Sequence, residues 1–160
     1  MTAVDRIAAA LTARQQTLAT VECSLGGAIG GALTEVAGAS AWFVGCVAPY
    51  SAAAKEALLG VGREALGADG AVSPLAARLL AEAARARLGA DWALAETGIA
   101  GPRGQRRSAK EPGTAYLALV GPDGRERRRE VATGLDDRAA NRRAFLAAAL
   151  ELISTSIEIA

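Results

Sequence analysis

Three stretches of this 160-residue chain carry groups that chemistry could use, and all three must work without histidine, because the sequence has none. That absence excludes Ser-His-Asp and Cys-His catalysis, and it leaves zinc only two cysteines and carboxylates. Acid–base work falls to Lys, Tyr, Cys or carboxylates. The first stretch, Thr20-Val21-Glu22-Cys23-Ser24-Leu25-Gly26-Gly27, reads as a strand running into a helix. A nucleophile there lies beside free N–H groups and the positive end of a helix, which favour a thiolate and supply oxyanion donors. The same residues also read as a buried Cys, a Ser N-cap and glycines chosen for close packing.

The second stretch is Tyr50-Ser51-Ala52-Ala53-Ala54-Lys55. With Ser51 as N-cap, Tyr50 precedes the cap and Lys55 is the fourth helical residue, two positions that pack together as a hydrophobic staple. A cation is disfavoured near a helix N-terminus, and a neutral amine is a usable general base where a guanidinium is not. Of the 18 basic residues 16 are Arg, and only Lys55 and Lys110 are Lys, so a lysine here suggests a need for a removable proton. The plain alternative is a Tyr ring resting on a solvated Lys stem. The third stretch, Thr97-Gly98-Ile99-Ala100-Gly101-Pro102, offers a hydroxyl and glycines that let backbone amides approach an anion. Arg103, Arg106, Arg107 and Lys110 follow it and could meet a phosphate, or form a solvated basic loop. Neither GxxxxGK[ST] nor GxGxxG occurs.

Alternating elements must position these stretches. The patterns predict a helix over Val4–Gln15, a buried strand over Leu18–Val21, a helix over Gly27–Val36 and a strand over Trp42–Ala48. Ser51 then caps a helix to Leu59, and Ser73-Pro74 opens one that stops at Gly89. A third strand, Trp92–Glu96, leads into a Gly-, Arg- and Ser-rich loop over Gly98–Gly113. Thr114–Val120 and Arg125–Ala132 flank the turn Gly121-Pro122-Asp123-Gly124, and a last helix runs from Asp136 or Asp137 to about Ser154. The expected fold is a three-layer α/β/α domain over residues 1–160, with a mixed, mostly parallel sheet that includes one hairpin. The alternating charges of Arg125–Glu130 suit an exposed edge strand.

Hydrophobic residues make up 51% and charged ones 22%, enough for a full core. The formal net charge of +1 and an aromatic share of 4% argue against nucleic acid and an anionic membrane as partners. No apolar run is long enough to span a bilayer and the N-terminus lacks a signal peptide, so a cytoplasmic location is expected. Two cysteines, Cys23 and Cys46, do not make a disulfide framework, although a bond between them would remove the free thiol.

In order along the chain, ECSLGG, GASAWF, YSAAAK, LLGV, Ala71-Val72-Ser73, TGIAGP, Glu111-Pro112-Gly113-Thr114 and Asp137-Arg138 resemble the CinA C-terminal domain family. The resemblance covers nearly the whole chain. It implies a three-layer fold, commonly dimeric. It further implies an amidase that needs no cofactor and converts nicotinamide mononucleotide and water to nicotinate mononucleotide and ammonia. A non-catalytic member would be a binding or partner protein associated with competence or recombination, of the kind called competence/damage-inducible, and longer relatives carry an additional N-terminal domain. In active members the first motif reads ESCTGG, with Ser as nucleophile and the Lys of Y-x4-K as its base. By this resemblance Cys23, Tyr50 and Lys55 are the catalytic residues. Glu22, Ser24, Gly26, Gly27, Thr97, Gly98, Ile99, Ala100, Gly101 and Arg138 are the expected substrate-binding ones. The family Arg matched by Arg138 can reach the ligand across a dimer interface. Amides around Leu25 to Gly27 would hold the oxyanion, and Glu22 could orient the lysine. This chain departs from the motif by placing Cys23 where the nucleophilic Ser stands and Leu25 where the Thr stands. Three readings stay open: Cys23 attacks, Ser24 attacks, or catalysis is lost and a nucleotide-binding or partner protein remains.

Overall fold

The computed structural model describes residues 1–104 and 108–159. Helix α1 (Ala3–Arg14) opens on a capping box, in which the Thr2 hydroxyl accepts from the Asp5 amide and the Asp5 carboxylate accepts from the Thr2 amide. There follow β1 (Leu18–Glu22), α2 (Ala28–Thr34), β2 (Phe43–Val47), α3 (Ala52–Leu59), the single turn α4 (Arg63–Leu66) and α5 (Pro74–Leu88). The chain ends with β3 (Trp92–Ile99), β4 (Thr114–Val120), β5 (Glu126–Ala132) and α6 (Arg138–Ile159). Ser51 and Ser73 cap α3 and α5 through their hydroxyls, as their sequence positions require, and Gly89 closes α5 in the left-handed conformation.

The sheet has the order β2-β1-β3-β4-β5. β1 pairs in parallel with β2 and β3, whereas β3–β4 and β4–β5 are antiparallel. Four strands therefore run one way and β4 alone is reversed. Alternation along β1 sorts the core into two layers. Leu18, with Trp92 and Leu94 of β3, packs under α1, α2 and α6, where Ile7, Leu33, Phe145 and Ile153 are buried. Ala19, Val21 and Cys23 face the other way, toward Leu59 of α3 and Leu80 and Ala84 of α5. The three-layer architecture follows directly. After β1 the chain turns to one face of the sheet, and after β2 it turns to the other. That reversal opens a crevice beyond the carboxyl ends of β1 and β3.

Two boundaries differ from the sequence reading. β3 runs on to Ile99, because β4 supplies partners for Thr97, Gly98 and Ile99 in Tyr116, Ala115 and Thr114. Gly98 is accordingly a packing glycine: a Cβ there would lie 2.8 Å from the Ala115 Cβ and 2.9 Å from the Thr114 carbonyl oxygen. α6 passes Ser154 and reaches Ile159, because Ile153 and Ile157 extend the buried stripe begun by Phe145 and Ala149. No helix among the described residues is long and apolar enough to cross a membrane.

Candidate active site

The crevice is a cavity of about 540 Å³. Its walls come from five places: Cys23 and Ser24 at the end of β1, Tyr50, Ser51 and Lys55 around the start of α3, Ala71 and Val72 before α5, Thr97 to Pro102 from the end of β3, and Arg138 at the start of α6. The sequence reading placed most of its candidates here. It did not anticipate Ala71 and Val72 as lining, although both stood among its landmarks.

Lys55 is drawn into the protein, with 4% of its surface exposed, and its Nζ donates to the Tyr50 carbonyl oxygen at 3.2 Å. The expected staple is not formed. The Tyr50 ring stands 71% exposed, and it is the Tyr50 backbone that meets the amine. Cys23 is buried, and burial pushes its thiol up to about 12; the nearby charge of Lys55, then hydrogen bonding from Thr97 and Lys55, pull the other way, while Glu96 adds to the rise. The expected thiolate is therefore a thiol at neutral pH, because desolvation outweighs the amine. Thr97 is buried and donates its hydroxyl to the Ala71 carbonyl oxygen at 2.6 Å.

The amides proposed for an oxyanion are already taken, and by two buried carboxylates. Glu96, absent from the sequence-based candidates, accepts from the amides of Ser24 at 3.0 Å and Leu25 at 3.1 Å, and from the Ser24 hydroxyl. Glu22 accepts from the amides of Gly27, Ile29 and Gly30 at 3.0, 2.9 and 2.8 Å. Glu22 points to the α2 side of the sheet and so does not orient Lys55, and neither it nor Gly26 or Gly27 lines the cavity. Ser24 lines the cavity, but its hydroxyl donates to Glu96. Burial, opposed by the bonds from Ser24 and Leu25 and reinforced by Glu22, raises the Glu96 carboxyl above the usual carboxylate range. A second missed residue, Arg142 of α6, donates to the carbonyl oxygens of Ser24 and, at 2.9 Å, Leu25. A signal for Glu96 existed, since it is the one acidic residue inside the apolar run Trp92–Thr97.

Arg138 donates to the Gly101 carbonyl oxygen at 2.9 Å and borders its own chain's cavity. Arg103 pairs with Glu111, and Lys110 donates to the Val72 carbonyl oxygen, while Arg106 and Arg107 lie outside the described residues. Cys23 and Cys46 are both free. Cys46 is registered with Thr20 and donates to Glu22, so it sits on the face opposite Cys23.

The chain is thus a mixed α/β/α domain whose cavity at the strand switch point brings a thiol and an amine together. The chain belongs to the CinA family: the family description "CinA C-terminal domain" matches residues 1–157. It is similar to the CinA-like protein of Synechococcus sp. (strain RCC307), with 46% identity over 114 residues, 71% of this chain and 27% of that protein. It is also similar to that of Anaeromyxobacter dehalogenans (strain 2CP-C), with 44% identity over 141 residues, 88% of this chain and 34% of the other. The chain thus spans about a third or less of the length of these curated relatives. Among solved structures it resembles the competence/damage inducible protein CihA of Agrobacterium tumefaciens, with a TM-score of 0.89 and 38% identity, covering 98% of this chain and 93% of that one. The CinA superfamily protein of Klebsiella pneumoniae 700603 gives a TM-score of 0.91 and 27% identity, covering 99% and 97%.

Proposed function

We propose that this domain hydrolyses the carboxamide of nicotinamide mononucleotide to nicotinate mononucleotide and ammonia. The observation that carries this reading is the meeting of Cys23 and Lys55, from β1 and α3, in one cavity with the Thr97–Pro102 segment and Arg138. The Cys23 Sγ attacks the carboxamide carbon while Lys55, in its uncharged amine form, takes the thiol proton. Lys55 then gives that proton to the amide nitrogen, which cannot leave as an anion, and the C–N bond breaks to release ammonia. Water adds to the thioester carbon, the S–C bond breaks, and the sulfur regains a proton. Tyr50 borders the cavity and can position the substrate or donate to it, and Arg138 offers a positive charge for the phosphate.

One observation favours a second reading, a nucleotide-binding protein without turnover: Glu96 and Glu22 already occupy the amides of Ser24, Leu25 and Gly27. Ammonia release from nicotinamide mononucleotide separates the two. Under the amidase reading Cys23→Ala abolishes release and Lys55→Ala lowers it by about a hundredfold or more. Calorimetric binding with no ammonia in the unaltered protein establishes the second reading instead.

A further inference from the structure

The turn that carries Cys23 is held from both sides by residues remote in sequence. Parallel pairing puts Glu22 and Glu96 in register at the ends of β1 and β3, both fully buried. The Glu96 carboxylate grips the N–H groups of Ser24 and Leu25. The Arg142 guanidinium grips the carbonyl oxygens of the same two residues. The amide of Cys23 itself donates to the Glu96 carbonyl oxygen at 3.1 Å. The N–H and the C=O of both residues after the cysteine are therefore held by side chains, and the bonds from the Arg142 guanidinium are charge-assisted, the stronger kind. Neither Glu96 nor Arg142 borders the cavity, so neither touches a bound molecule.

We propose that Glu96 and Arg142 are positioning residues that together aim the Cys23 sulfur at the cavity and at Lys55. The direction of a side chain at a strand end follows from the peptide planes beside it. Release of Ser24 and Leu25 lets those planes rotate, and the sulfur moves with them. The effect belongs in kcat, since a displacement of about 1 Å at a reacting atom costs roughly a hundredfold in rate without weakening substrate contacts elsewhere. The two residues serve one turn, so their losses overlap.

This proposal rests on the amidase reading for its rate consequence, but not for its structural content, and the experiment separates the two. Glu96→Ala, Glu96→Gln, Arg142→Ala and the Glu96/Arg142 double alanine variant are compared with the unaltered protein. Two measurements are made: ammonia release from nicotinamide mononucleotide, and the rate of iodoacetamide labelling of the Cys23 peptide, followed by mass spectrometry well below each variant's Tm. Glu96→Gln keeps a carbonyl oxygen for the two amides and an NH2 group for the Ser24 hydroxyl. Expected are a fall in kcat of about a hundredfold in Glu96→Ala and Arg142→Ala with KM within about threefold, and recovery to within about fivefold in Glu96→Gln. The double variant should be no worse than the poorer single one, and Cys23 labelling should change at least about tenfold in the alanine variants alone. If Glu96→Ala does not fold, Arg142→Ala, which removes only bonds to carbonyls, carries the test. If the unaltered protein releases no ammonia, the amidase reading fails and labelling alone decides. Labelling unchanged in folded alanine variants overturns the proposal, as does a Glu96→Gln variant as impaired as Glu96→Ala at equal Tm.

Discussion

The buried thiol gives the sharpest test of the site. Cys23 has an ordinary value of 9.0 and is pushed up to about 12, chiefly by burial. At any pH well below 9 the folded protein therefore holds about a thousandfold less thiolate at this position than the unfolded chain does, three powers of ten for three pH units. Labelling by iodoacetamide goes through the thiolate, so the logarithm of the Cys23 rate should climb with unit slope from pH 7 to pH 10 and show no plateau. In urea the same cysteine should level off near pH 9. The sign for stability follows from the raised value. Below pH 9 both states hold the proton and the contribution is complete. As pH rises from 9 through 12 the unfolded chain ionises first and folding is weakened, by about 4 kcal/mol at the upper end. Cys23→Ala should lose this part of the alkaline destabilisation, read as the difference between urea melts of the two proteins at pH 7 and pH 10. A labelling plateau at pH 8 to 9 in the folded protein would refute the reasoning, because it would mean that Lys55 and Thr97 overcome the cost of burial.

Three further outcomes rest on packing and capping. Gly30→Ala places a Cβ 3.0 Å from the Cys46 Cβ and 3.6 Å from Glu22 Oε1, so it should cost about 1–3 kcal/mol in urea unfolding by crowding α2 against β2. Phe145→Ala empties a fully buried site shared by α6 and the sheet, and should cost about 3–5 kcal/mol, read from the midpoint of denaturation. Ser51→Ala removes the bond that the Ala54 amide makes to the cap at 3.1 Å, and should cost about 0.5–2 kcal/mol. Because α3 also presents Lys55, hydrogen exchange in its first turn should rise in that variant.

What the sequence disclosed depended on how local each signal was. Caps at Ser51 and Ser73, the stop at Gly89 and the hairpin turn at Gly121–Gly124 are each set within a few residues, and each stands where the sequence put it. The end of β3 depends instead on β4, which no window around Thr97 contains. The site divides in the same way. Strand alternation predicts that consecutive residues point to opposite faces, which explains why Cys23 enters the cavity layer while Glu22 does not. The amides after Cys23 looked available because their partners, Glu96 and Arg142, lie 72 and 118 positions from Ser24. The Tyr50 ring was misplaced for a different reason: the Lys55 amine found a carbonyl oxygen, a stronger partner than the face of a ring.

That long reach of Arg142 has a consequence for how the protein is made. The turn after β1 is synthesised 118 positions before the guanidinium that takes its carbonyl oxygens, which arrives only with α6. Burial of the cysteine against α3 and α5 can precede that step, so the thiol is covered by one set of elements and its turn is fastened by another that is made later.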